Sequence, residues 1–530
     1  MGSCAPYTPL SFFLSFVLLP RNLFDSCLCL SPRAFLGSPI LMFSLSHHAF
    51  VLAFLFLNFN IPLACALPNL PQSTSIAVSL SRSTHAYTHR NGTYMHGSIV
   101  QQQHTNRGIK RLALMTGRRS PSDYDLLWLL YERMATLSAA LRREYEFDEI
   151  ATILAYHSSA SGRRFRGLGT NLGSSSGLLR KEGRSETVPT SVLRTTGLSI
   201  ESNDIGYIAN MKIGTPPKTF RLLIDSGSAD LWVGATGCRS DAGGSCGNHT
   251  FLGHNSSSSY VQSKADWAIG YVSGSVWGYI VHDDVSIAGL PLKNLTFGVA
   301  FNESAEFTGN NIRFDGLLGL AKSEISQQHV PTFVQALSQA KLISSAIVSY
   351  KLPRLADGRN DTSELTLGAM DPNHYYPKSL VTVKNVNKFG FWGAAVDAVK
   401  VGNQNMGWSN RTIVMDTGTT LILAPKSDAQ AIHNAIPGAQ YDGNGFMVPC
   451  NMTTVLSLTI GGNAFTVEPR DIAFHPVEEG SATCVSGISV GTVGPFDLNT
   501  DWLVGDVFLK NVYFSTDEDN DEISIAKPLH

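Results

Sequence analysis

Two short stretches of this 530-residue chain set an Asp in the same surroundings: Leu222-Leu223-Ile224-Asp225-Ser226-Gly227-Ser228 and Ile413-Val414-Met415-Asp416-Thr417-Gly418-Thr419. Each runs three apolar residues, an Asp, a hydroxyl residue, a Gly and a second hydroxyl residue. The apolar triplet reads as a buried strand, and the Gly lets the chain turn sharply beneath the Asp. A pair of such elbows brings two carboxylates face to face. Carboxylates held about 3 Å apart do not both ionise easily, so they share one proton and supply an acid and a base together. The protonated member polarises a carbonyl while the ionised one activates water. One Asp-Thr-Gly alone is ordinary turn chemistry; the repetition and its setting give it weight.

Asp225 is preceded by Ile213-Gly214-Thr215-Pro216-Pro217 and followed by Ala229-Asp230-Leu231-Trp232-Val233, and Asp416 is followed by Thr420-Leu421-Ile422-Leu423-Ala424-Pro425. Phe314-Asp315-Gly316-Leu317-Leu318-Gly319 and Trp502-Leu503-Val504-Gly505 add two segments that each end in two apolar residues and a Gly. From about Asp204 to the C-terminus the chain resembles the pepsin-like aspartic proteases, the secreted fungal ones in particular. The resemblance implies an all-β, bilobal fold, two related β lobes with the cleft between them, and an endopeptidase that works in acid with Asp225 and Asp416 as its catalytic pair and no cofactor.

The same resemblance assigns a supporting cast. Ser228 and Thr419 stand where a hydroxyl steadies each carboxylate, Ser226 and Thr417 where hydroxyls lock the two elbows together, and Gly227 and Gly418 at the turns. Trp267 to Ser275 is similar to the hairpin flap that closes over substrate, with Tyr271 as its tyrosine, bonded to Trp232, and Ser273 and Gly274 beside it. Val272 departs from the pattern, standing where the family usually has Gly. Tyr271, Phe314 and Leu317 line the first specificity pocket, an apolar surface suited to Phe, Leu or Met. Ser273 stands where relatives that accept Lys carry an acid, so basic substrates are expected to be poor.

The whole-chain charge of −2 hides an asymmetry. Residues 1 to 200 hold 19 Lys and Arg against 10 Asp and Glu, a surplus of +9, leaving 21 against 32, or −11, in the remainder. A basic leader thus precedes an acidic body. That partner within the same chain argues against reading Arg163-Arg164-Phe165-Arg166 as a nucleic-acid site, and predicts that the leader holds itself over the acidic cleft.

Of eight cysteines, Cys238, Cys246, Cys450 and Cys484 lie in the body. Pairing Cys238 with Cys246 and Cys450 with Cys484 closes one small and one larger loop, as the resemblance also implies. A metal site is the alternative, without C-x-x-C spacing to favour it. Eight N-x-[ST] sequons, seven of them in the body, agree with an oxidising secretory route.

Along the chain, residues 1–66 read as an N-terminal extension and signal peptide: Ala49 to Leu57 is a signal-sized apolar core and Ala64-Cys65-Ala66 a small-x-small cleavage site. An uncleaved anchor is the competing reading. Residues 67–197 read as a pro-region, Ser-, Arg- and Gly-rich, with a helical island from Asp123 to Tyr156 in which Leu126, Leu127, Leu130, Met134, Leu137 and Leu141 recur at helical spacing. Residues 198–376 and 377–530 read as the N- and C-terminal lobes. Val285 to Gly289 and Leu456 to Gly462 are expected strands closed by turns, and Val330 to Ala340 a helix with Pro331 near its start. The acidic run Asp517 to Glu522 lacks the spacing of a calcium loop and reads as a solvated hairpin turn.

The expectation is a secreted, extracellular or vacuolar, monomeric acid endopeptidase made as a zymogen. It acts on polypeptides, its own pro-region is an intramolecular inhibitor, and it has neither nucleic acid nor a stable membrane partner. The alternative, a catalytically silent glycoprotein of the same fold that only binds peptides or proteins, ordinarily shows a lost Asp, Gly or flap tyrosine, and all are present here.

Overall fold

Apolar triplets ending in Asp make the two central strands. Lys218–Asp225 runs parallel to Gly316–Gly319, with Asp225 opposite Gly319, and Leu231–Ser240 lies antiparallel on the other side of Gly316–Gly319. The second half repeats this: Arg411–Met415 runs parallel to Asp501–Val504, with Met415 opposite Val504, and Ile422–Ala424 is antiparallel to Asp501–Val504. Leu222, Ile224, Ile413, Met415, Leu503 and Val504 are all fully buried, as expected of strands with both faces covered.

The apolar-apolar-Gly segments gain a physical reason here. A Cβ on Gly319 would strike Asp230 N and the backbone of Ser228 and Ala229, and one on Gly505 would strike the carbonyl of Thr419. Each Gly lets its strand pass close beneath the elbow of its own half. The backbone then closes the contact, Ala321 N donating to Ser228 O at 2.8 Å and Asp506 N to Thr419 O at 2.9 Å.

The computed structural model describes residues 95–145, 147–161, 207–271, 274–310, 312–352, 354, 364–491 and 500–529, and the backbone of Ile76–Arg82. All belong to one compact unit, Pro68–His530. The fold is all-β and bilobal. Among the described residues, thirteen strands form one sheet and three smaller sheets have five, four and four strands. The large sheet contains strands from both halves, including Val381–Lys384, Tyr513–Asp517 and Glu522–Ala526, and at its middle Ile76–Arg82 pairs with Glu364–Leu367 on one side and Tyr207–Ile213 on the other. The structure joins Cys238 to Cys246 and Cys450 to Cys484.

Four helices follow Ile76–Arg82 and precede the other described strands: α1 (Gly97–Met115), α2 (Asp123–Ala135), α3 (Ala139–Glu144) and α4 (Phe147–Ser161). Ser122 and Asp125 form a capping box at the start of α2. Ile99, Val100, Leu130, Met134, Leu137, Ile150 and Leu154 gather into a cluster of their own. The helical island is therefore present, broken into three pieces, but α1 was not anticipated.

Two expectations need correction. The helix expected from Val330 begins at Phe333, because Thr332 and Gln335 form its capping box and Pro331 precedes the cap. The acidic hairpin turn exists between Tyr513–Asp517 and Glu522–Ala526 but is not simply solvated. Glu518 accepts hydrogen bonds from Ser323 N, Thr332 Oγ1 and Gln335 Nε2, and Asp521 pairs with Lys322 at 3.0 Å. Those donors all belong to the segment 322–335, so the turn clasps it.

Candidate active site

The two elbows meet. Ser226 N donates to Thr417 Oγ1 and Thr417 N to Ser226 Oγ, both at 3.0 Å, while the two hydroxyls donate onward to Met415 O at 3.2 Å and Ile224 O at 3.0 Å. This reciprocal set fixes the turns against each other with every buried polar group satisfied. Gly227 and Gly418 serve the same approach. A Cβ on Gly227 would lie 2.5 Å from Asp416 Oδ1, and one on Gly418 would collide with Asp225 Oδ1.

Asp225 and Asp416 are both fully buried. Gly227 N donates to Asp225 Oδ1 at 3.0 Å and Ser228 Oγ to Asp225 Oδ2 at 2.7 Å. Gly418 N and Thr419 Oγ1 do the same for Asp416. The sequence-predicted residues Asp225, Ser226, Gly227, Ser228, Asp416, Thr417, Gly418 and Thr419 thus stand in one constellation.

Sequence reasoning missed the group at its centre. Arg111, on α1, places Nη1 3.0 Å from Asp225 Oδ1 and 2.6 Å from Asp416 Oδ1, and Nη2 3.0 Å from Asp225 Oδ2. A guanidinium forks onto one carboxylate and reaches the other, the bidentate geometry that suits Arg better than Lys. The remainder of α1 lies along Ile422–Ala424 and Ile488–Val490. Thr105 Oγ1 is 2.8 Å from Ser489 Oγ, and Gly108 faces Leu423 so closely that a Cβ would overlap the leucine side chain. Met115, buried, reaches the Gly227 turn. The signal available in the sequence was small: Lys110-Arg111 set between Ile109 and Leu112-Ala113-Leu114-Met115.

The electrostatics divide the pair. For Asp225, burial pushes the pKa up, but Arg111 together with the Ser228 and Gly227 hydrogen bonds outweighs it and holds the carboxyl below its ordinary value. For Asp416, burial again pushes up, and with the negative charge of Asp225 it prevails over Arg111, so this carboxyl sits above its ordinary value. Arg111 is opposed by burial yet raised by both carboxylates and stays cationic. Environments that separate two equal groups define an acid and a base.

The segment expected to be the flap lies on the hairpin of Val261–Gly270 with Ser275–Ile287. Trp232 Nε1 donates to Tyr271 Oη at 2.7 Å. Gly274 packs where a Cβ would meet Ser304 Oγ. Val272 and Ser273 lie outside the described residues. Trp232, Phe314 and Leu317 share one apolar cluster with Phe307, and Tyr271 packs on it. Phe307, unforeseen from sequence, packs edge-on against Trp232 and Tyr271 with ring centroids 5.7 and 5.5 Å apart, so it adds a third ring to that pair.

Among the described residues, the side chains that meet as candidate metal ligands are Cys238, Cys246 and Glu303, and Glu364, Asp371 and His374. The first pair is a disulfide, and in the second His374 already bonds Glu364 at 2.9 Å. Neither touches the dyad. No described helix is long and apolar enough to cross a membrane.

Two buried carboxylates on repeated Asp-hydroxyl-Gly turns, with the Trp232–Tyr271 pair nearby, make a candidate site for a two-aspartate hydrolase. Residues 206–528 match the family described as eukaryotic aspartyl protease. The chain is 33% identical over 334 residues to the aspartic-type endopeptidase ctsD of Aspergillus fumigatus, covering 63% of this chain and 68% of that protein. It is 32% identical over 329 residues to cathepsin D of Gallus gallus and 30% over 340 residues to cathepsin D of Homo sapiens, in each case spanning 61% of this chain and 81% of the relative. The chain belongs to the eukaryotic aspartyl protease family, and its class is that of an aspartic-type endopeptidase.

Proposed function

We propose that the protein is a secreted acid endopeptidase made as an inactive precursor, with Asp225 and Asp416 as its catalytic pair and residues 67–197 as its pro-region. The observation that carries this reading is Arg111 forked onto both carboxylates. A cation occupying the acid and base, delivered by a segment outside the family-matched residues, excludes both substrate carbonyl and water.

With Arg111 withdrawn, the causes that keep a proton on Asp416, burial and the neighbouring charge, persist, as do the hydrogen bonds that favour ionised Asp225. A water between them gives a proton to Asp225 and attacks the peptide carbonyl carbon, while Asp416 gives its proton to the carbonyl oxygen. The tetrahedral species then expels the amine, which takes the proton gained by Asp225, and Asp416 recovers its own. Each step balances without a covalent enzyme intermediate. Tyr271, Phe307, Phe314 and Leu317 favour a large apolar residue before the scissile bond.

The test is to incubate secreted precursor in acid, read its new N-terminus and map its cleavage of a denatured protein with and without pepstatin. Pepstatin-sensitive cuts after large apolar residues, together with loss of the segment bearing Arg111, are expected. Cleavage indifferent to pepstatin, or retained in Asp225→Asn, would refute the assignment.

A further inference from the structure

A second arginine of the helical segment is sunk into the C-terminal half, far from the dyad. Arg133, at the end of α2, is 0% exposed. Its Nη1 donates to Asp442 Oδ1 in the turn between the strands Gln440–Tyr441 and Phe446–Pro449, and its Nη2 donates to Gln101 Oε1 at 3.2 Å. Gln101, on α1, donates through Nε2 to Ser486 O at 2.8 Å and Phe446 O at 3.2 Å. The receiving turn is shaped in advance: Asp442 Oδ1 is held by Asn444 N at 3.0 Å and Gly445 N at 2.8 Å. Gly445 leaves room, because a Cβ there would stand 2.5 Å from Gln101 Oε1 and 2.9 Å from Arg133 Nη2.

We propose that the Tyr441–Gly445 turn is a guanidinium-binding socket of the C-terminal lobe, separate from the dyad, that retains the helical segment through Arg133. Gln101 and Arg111 are ten residues apart on one helix, which at 1.5 Å per residue sets the socket about 15 Å from the dyad. Arg111 holds one end of α1 at the dyad, and the socket holds the other through Gln101 and Arg133. Two arginines at that spacing fix α1 along the cleft in one register, and the socket does so with no catalytic group involved. The energetic argument is asymmetric. A fully buried guanidinium stays in place only while paired, so removing Asp442 leaves an uncompensated charge and weakens the whole attachment. His96 and Tyr441 are the other titratable groups whose charge meets that of the guanidinium, which donates to Asp442 and Gln101 and to neither of them.

The proposal rests on reading this segment as a pro-region, but its test does not need peptidase activity. A recognition site for an added protease is inserted between residues 162 and 206 of the full chain, the chain is cut at neutral pH, and the two pieces are followed by gel filtration over rising NaCl. The wild-type pieces should stay together at low salt. Arg133→Gln and Asp442→Asn should each weaken retention at least about tenfold. The double variant should weaken it no further than one single change, since both remove the same contact. Gly445→Ala, which keeps every charge and fills the space, should act in the same direction. Retention unchanged in Arg133→Gln, or losses that simply add in the double variant, would overturn the socket. Failure of the precursor reading would show differently, as full neutral-pH activity of the uncut wild-type chain while the pieces of the cut wild type still stay together.

Discussion

Gly227 faces Asp416 across the junction of the two elbows with no room for a methyl group, a built Cβ lying 2.5 Å from Asp416 Oδ1. Gly227→Ala must therefore push the carboxylates apart or twist the turn. Because about 1 Å of misplacement costs on the order of a hundredfold in rate, kcat/KM of the acid-processed enzyme should fall by about that factor, with secretion and melting temperature little changed. Peptide hydrolysis within a few fold of wild type would show that the close approach is not needed.

On the proposed precursor reading, Ser228 should tune the pH at which Arg111 lets go. Asp225 is held below its ordinary value of 3.8 in the presence of Arg111. A depressed carboxyl contributes binding that is present above its ordinary value and is lost as pH falls through the lowered one. Release should thus need pH below about 4. Ser228→Ala removes a bond to the ionised form, raises the Asp225 pKa and should move the conversion midpoint of the precursor upward. A midpoint unmoved or lowered in a pH series of precursor shortening would contradict this.

Glu303 makes the folded protein prefer acid. Burial pushes its carboxyl from 4.5 up to about 8, so between those values the unfolded chain sheds a proton that the folded chain keeps. Stability is full below the ordinary value and declines as pH rises toward 8, with a slope of at most about 1.4 kcal/mol per pH unit from this group. Glu303→Gln should flatten that decline, raising the melting temperature at pH 7 to 8 while leaving it alone at pH 4. Parallel melting curves for the two proteins across this range would exclude the role.

The Glu518 clasp should be visible in stability. Glu518→Ala leaves Ser323 N, Thr332 Oγ1 and Gln335 Nε2 without their shared acceptor, which costs about 2 kcal/mol. Denaturant melts should show a lower midpoint at constant slope, and Glu518→Gln should recover much of it. An alanine variant as stable as wild type would mean that water replaces the clasp.

The elbows were legible because strand, turn and carboxylate are neighbours in sequence, and because duplication repeated them at Asp225 and Asp416. The Gly319 and Gly505 segments were legible as a repeat, while their reason, passage close beneath the elbow of the same half, is purely spatial. Arg111 was not legible. Five of the thirteen buried residues of α1 are polar, Ser98, Gln101, Gln102, His104 and Thr105, so apolar periodicity is faint and the helix itself was missed. The net charges of leader and body foresaw attraction, but charge totals cannot say that two arginines, Arg111 and Arg133, would be buried at specific carboxylates. Phe307 escaped for a similar reason, being an isolated aromatic in a 3₁₀ turn.

The strand Ile76–Arg82 is stitched into the sheet like a seam, its first half joined to Glu364–Leu367 and its second to Tyr207–Ala209. Removing the leader, as proposed, would therefore unpick backbone hydrogen bonds on two sides at once and bare the strand edges that it had covered. Such edges invite the pairing of other chains. An enzyme processed in the proposed way would then be a shape that its own remaining sequence did not assemble, the scaffold used in building it having been taken down. Its persistence becomes a matter of how slowly it unfolds rather than how readily it refolds, and a processed chain once denatured lacks the strand that closed the seam.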